Sequence, residues 1–178
     1  DISKVDYYVE ILLKEKFNIP EIYYRILIFN YFRHSEMKKA LNLFKSLTKK
    51  REPSVNTLRT VLNGLFFLGQ VKTANEFLLE IFKREDPLSA PTYRILIQNH
   101  LRLGNIKKAK KYLEEMKEHR LNIPEILKFK FYRYYIRVNQ LKNAYYWYNF
   151  LSPKLRLEAF NYCSSFSLYK EMVRIYND

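Results

Sequence analysis

The sequence predicts an all-α solenoid, a right-handed α-α superhelix of helical-hairpin repeats about 35 residues long. Three observations predict it. The stretch from Ile2 to Glu21 aligns without a gap on Ile106 to Glu125, both ending Asn-Ile-Pro-Glu, and Tyr24-Arg25-Ile26-Leu27-Ile28 recurs as Tyr93-Arg94-Ile95-Leu96-Ile97. Val5, Ala40, Ala74, Ala109 and Ala144 fall at equivalent places, separated by 35, 34, 35 and 35 residues, which is a period and not a bias of composition. Apolar residues follow helical spacing twice in each period, with a break between.

Taken in order, the elements are a half repeat at 1–20, repeats at 21–54, 55–89, 90–124 and 125–152, and a degenerate or capping repeat at 153–178, together one solenoid domain over 1–178. Within a repeat, Tyr93, Leu96, Ile97, Leu101 and Leu103 outline a first helix, and Ile106, Ala109, Tyr112, Leu113 and Met116 a second. Gly104 separates them, as Gly69 does one repeat earlier, where a helix ends in a left-handed residue; Ser35 and Asn139 take that place in the flanking repeats at some local cost. The small residue five positions later lets the paired helices approach closely. Pro20, Pro53, Pro87, Pro124 and Pro153 fall near the ends of second helices, where a ring that cannot continue a helix makes a border. The last segment reads as helices around 157–166 and 168–176 joined at Ser164-Ser165.

Composition agrees with this reading. Only 3 Gly and 6 Pro occur, against 48% hydrophobic and 17% aromatic residues, which suits helices that bury a face and excludes a disordered tail. The 32 Lys and Arg against 18 Asp and Glu give a formal net charge of +14, which favours a polyanionic partner. The single Cys163 has no cysteine neighbour for a disulfide or a zinc site, and is expected to pack. Charges interrupt every apolar run, so no membrane span is expected. The opening Asp-Ile-Ser, without Met and already inside a helical pattern, suggests a piece of a longer protein whose targeting segment would lie outside it.

With Thr-Tyr, Leu-Ile, Gly, a small residue and Glu-Glu-Met in the order of residues 92–116, the chain resembles a pentatricopeptide repeat protein over nearly its whole length. Tetratricopeptide repeats are the neighbouring family, but their Trp, Gly and Tyr spacing is absent and Trp147 stands in a second helix. The resemblance implies binding of single-stranded RNA, one base per repeat, by one reader in the first helix and one at the repeat's end. Carried onto this sequence, the first-helix readers are Arg25, Arg59, Arg94 and Phe129; the repeat-end readers are Ser54, Ser89 and Pro124. Family readers are usually Asn, Thr or Ser, so three arginines depart from the pattern and no base order can be decoded.

Those arginines carry a physical reading of their own. A planar guanidinium fork pairs bidentately with phosphate or stacks on a base, and equivalent places in a solenoid line one face. Arg33, Arg102 and Arg137 would form a second ladder two turns further on, broken at Phe67. The plainer alternative is a solvated basic face. In the Lys107–Lys111 run, Lys110 and Lys111 each precede a glutamate, Glu114 and Glu115, by one helical step, so an ion-paired outer face is expected there. The aromatics of residues 129–148 are expected to be mostly core, with rings left over for a protein partner. His34, His100 and His119 lack ligand spacing, and no nucleophile elbow, phosphate loop or metal motif occurs, so neither an enzyme nor a cofactor is expected. Two functional readings follow. One is an RNA-binding factor of the mitochondrial matrix, of fungal type from its Lys, Asn, Ile and Tyr bias, acting on mRNA or rRNA. The other is a helical scaffold contacting protein and rRNA, for example on a mitochondrial ribosome.

Overall fold

The computed structural model describes residues 2–14, 19–85 and 88–168, together with Lys170 and Val173. Every regular element among them is an α-helix, and the chain divides into two compact units, residues 1–88 and 89–178. The first unit holds α1 (Ile2–Lys14), α2 (Glu21–Arg33), α3 (Met37–Lys50), α4 (Val55–Phe67) and α5 (Val71–Phe82). The second holds α6 (Ala90–Arg102), α7 (Ile106–Glu118), α8 (Glu125–Arg137), α9 (Leu141–Tyr148) and α10 (Pro153–Ser164).

Each first helix packs on the second helix that follows it, α2 on α3, α4 on α5, α6 on α7 and α8 on α9. The turn inside each pair is built in one way. Ser35, Gly69, Gly104 and Asn139 have φ of 63, 73, 77 and 54°, the left-handed region. The next residue's N–H then reaches back five positions, from Glu36 to the Tyr31 carbonyl at 2.9 Å and from Asn105 to that of His100 at 2.8 Å, closing the helix end. Ala40, Ala74, Ala109 and Ala144 have no exposed surface, because a methyl group is all the space between the paired helices admits.

First helices also pack on one another inside each unit, α4 on α2, and α8 on α6 and α10. At the α2–α4 crossing the missing side chain of Gly64 makes room for the ring of Phe32, which is 2% exposed. In the second unit Phe131 stacks on Trp147 with centroids 4.5 Å apart, and the Tyr132 hydroxyl donates to the Ala159 carbonyl at 2.8 Å.

Three details differ from the sequence expectation. α10 starts at Pro153, four residues before Leu157, since a proline fits the first helical turn, where its missing N–H has no intrahelical partner to lose. It ends at Ser164, and the left-handed residue is Ser167 (φ 57°), not the Ser164-Ser165 pair; the expected helix over 168–176 lies largely outside the described residues. Leu103 follows α6 as its C-cap and is 42% exposed, outside the core.

Candidate nucleic-acid interface

In the first unit the expected readers sit on the stacked pair α2 and α4. Arg25 is half-buried on α2. Arg59, at the equivalent place on α4, is held: its guanidinium donates to the Glu85 carboxylate and to Asn56 Oδ1 at 2.7 Å. Ser54 is also engaged. It is the N-cap of α4, accepting from the Thr57 N–H at 3.4 Å, while its hydroxyl and N–H both donate to Glu21 Oε1, at 2.6 and 2.9 Å. Thr57 donates its own hydroxyl to the same oxygen. Burial pushes the Glu21 carboxyl up, but the hydrogen bonds from Ser54 and Thr57, helped by the charge of Arg51, outweigh it and hold the group below its ordinary range. Arg33 is exposed, with its guanidinium 5.8 Å from the Phe29 ring.

In the second unit Arg94 is exposed on α6, and Arg102 is exposed in the last turn of that helix. Arg137 is exposed on α8 and donates at 3.0 Å to the Leu101 carbonyl, so it ties α8 to the carbonyl end of α6. Phe129 takes the place of the arginines, 7% exposed and stacked near Tyr132, which leaves it no open face for a base. Ser89 stands at the N-cap position of α6, where its hydroxyl lies 3.4 Å from that of Thr92, and Pro124 stands at the N-cap position of α8. The Glu21 arrangement recurs: Glu125, first residue of α8, accepts from the N–H of Ser152, the N-cap of α10.

Sequence reasoning missed a basic pair on α8. The Arg133 guanidinium lies 4.4 Å from the Tyr162 ring and 5.9 Å from that of Phe129, and Lys130 stands near it with its ammonium pushed down by burial and by the Arg133 charge. The departure of Phe129 from the arginine pattern was the available signal, since it moves the cation one turn along. On the lysine-rich face of α7, Lys111 pairs with Glu115 at 3.6 Å as expected, whereas Glu114 pairs with Lys117 and Lys110 lies 6.0 Å from the Tyr135 ring. Of the aromatics in 129–148, Phe129, Phe131, Tyr132 and Tyr135 are buried and Tyr146 is 58% exposed. Among the described residues no group of His, Cys, Asp or Glu could hold a metal ion, and no helix is long and apolar enough to cross a membrane.

Residues 22–51 and 91–121, the pairs α2–α3 and α6–α7, match the PPR repeat. Over these two stretches the chain is similar to PPR repeat proteins. A pentatricopeptide repeat-containing protein of Arabidopsis thaliana is 29% identical over 105 residues, covering 59% of this chain and 21% of the relative. The pentatricopeptide repeat protein PPR10 from maize shares the all-helical repeat of helix pairs, with a TM-score of 0.61 at 21% identity over 94% of this chain and 23% of that one. PPR10 in complex with an 18-nt psaJ RNA element gives 0.61 at 23% identity, over 83% of this chain and 24% of the other. The chain therefore spans about a fifth to a quarter of the length of these relatives.

Proposed function

We propose that this chain belongs to a PPR protein that is an RNA-binding factor of mitochondrial gene expression. It captures single-stranded RNA, mRNA or rRNA, on basic first-helix faces, and so stabilises, processes or activates translation of a transcript in the mitochondrial matrix. The observation that carries the reading is Arg25 and Arg94 at one repeat-equivalent place, neither in an ion pair among the described residues, on a chain of net charge +14. A PPR10 structure with bound RNA supports the ligand class, and the generally organellar distribution of PPR proteins supports the compartment. Guanidinium groups at that place favour phosphate contact and stacking over base reading, with Arg33 and Arg102 as further exposed cations. Arg59, Arg137, Ser54 and Ser89 already serve intramolecular bonds and contribute less. Titrating labelled single-stranded RNA at several salt concentrations tests this. Arg25→Ala with Arg94→Ala should lower the slope of log affinity against log salt by about 0.7 for each lost phosphate contact; unchanged affinity and slope would remove the site.

A second reading, a helical scaffold contacting protein and rRNA on a mitochondrial ribosome, is favoured by one observation. Tyr146 and Phe150, 58% and 49% exposed, pack edge to face and offer an aromatic contact to a protein. A stoichiometric partner that survives RNase treatment and is lost in Tyr146→Ala would favour it.

A further inference from the structure

The pair Arg59–Glu85 differs in kind from the other ion pairs of the first unit. Its side chains are 13% and 15% exposed, while Lys14–Glu10 is 80% and 69% exposed and Lys83–Glu80 is 73% and 40%. The pair joins α4 to the turn that follows α5, and that turn is pinned. The Glu85 N–H donates to the Ile81 carbonyl at 2.9 Å, and the adjacent Arg84 donates to the Pro53 carbonyl at 2.6 Å and pairs with Glu80 at 3.1 Å and Glu52 at 3.0 Å. Asn56 holds the other arm of the Arg59 fork. A carboxylate delivered by so fixed a turn loses little freedom on pairing, so it holds the guanidinium well.

Carboxylate and phosphate present the same kind of oxygens to a guanidinium. We propose that Glu85 stands in for an RNA phosphate at Arg59, so that α4 brings a neutral pair to RNA while the equivalent Arg25 on α2 brings a cation. The inference rests on the RNA-binding reading. It identifies Glu85 as a residue that sets how many phosphates the first unit engages, and therefore how strongly salt controls its affinity.

The experiment uses the whole chain and two labelled probes, oligouridylate and oligoadenylate, titrated at low and moderate salt. Glu85→Ala should raise the salt slope by about 0.7 and tighten binding of both probes, the gain being roughly threefold larger at low salt than after a fourfold rise in salt, the share of one phosphate contact. Arg59→Ala combined with Glu85→Ala should return affinity and slope to those of the unaltered chain, because a neutral pair has been replaced by nothing charged. Glu85→Gln, which keeps the size of the side chain, should reproduce the direction of Glu85→Ala, and helix content by circular dichroism checks that each variant is folded. The inference is overturned if folded Glu85→Ala and Glu85→Gln bind like the unaltered chain, or if the double variant binds as weakly as Arg25→Ala. Failure of the unaltered chain to bind either probe would instead overturn the RNA-binding reading, and this inference with it.

Discussion

Gly64 sits where α4 crosses α2, and replacing it with alanine tests the packing that sets the distance between these first helices. A methyl carbon built there lies 2.2 Å from Cγ of Phe32 and 2.3 and 2.7 Å from its Cδ atoms. Carbon contacts settle near 3.5–4.0 Å, so ring and helix must separate by about 1.3 Å or more. Phe32 is 2% exposed in a close-packed interior, so the strain is placed at the upper end of the roughly 1–3 kcal/mol that overpacking costs. Alanine recovers about 1 kcal/mol through its higher helix propensity. The net loss is about 2 kcal/mol, or a fall of about 4–8 °C in Tm for a chain of this length. Thermal melts followed by far-ultraviolet circular dichroism read it, and Phe32→Leu combined with Gly64→Ala should lose less than the two single changes added together, since the shorter side chain relieves the clash. A Gly64→Ala chain that melts at or above the original temperature would refute the close approach, because propensity alone would then be acting.

Two further outcomes are expected from titrating groups. Glu21→Gln should destabilise the first unit by about 1–2 kcal/mol near neutral pH, since a carboxylate that accepts three hydrogen bonds becomes an amide. Its folded pKa lies below the ordinary 4.5, so its contribution is fully present above pH 4.5 and is lost as pH falls through the lower folded value; chemical denaturation at a series of pH values should show the two chains converging in acid. His100, 3% exposed and stacked on Tyr112, has its pKa lowered from 6.5 by burial and by the Lys108 charge. The folded state holds the neutral ring, so stability should decline as pH falls below 6.5, and the decline between there and roughly pH 5, above the carboxylate range, should flatten in His100→Gln.

The helix pairs were legible in the sequence because they rest on local periodicity and on backbone conformations that particular residues permit. Ser35 and Asn139 could be placed at left-handed positions because Gly69 and Gly104 occupy the same phase, and the four alanines could be placed in the core for the same reason. The candidate interface was less legible. A spacing of 34 residues puts Arg25 and Arg59 at equivalent places, but whether a guanidinium is available depends on a carboxylate 26 residues further on, in a turn with no pattern of its own. Glu21 and Ser54 meet across 33 residues and Glu125 and Ser152 across 27, so no fixed spacing announces the contact; the usable hint was a glutamate opening both first helices. Gly64 likewise reads as an ordinary weak point in a helix until the neighbouring ring is seen.

The contact of Glu21 with Ser54, repeated by Glu125 with Ser152, constrains how such a chain can change over generations. A side chain at a repeat's end that is free can be exchanged to suit a new ligand at no cost to the fold. Here the serine is also the rivet between one repeat and the next, so exchanging it loosens the array as it alters the contact. If the RNA contacts are those proposed above, change is cheapest at Arg25 and Arg94, whereas a lineage that exchanges Ser54 must hold α4 on α2 by the remaining packing, the Phe32 ring against Gly64 included.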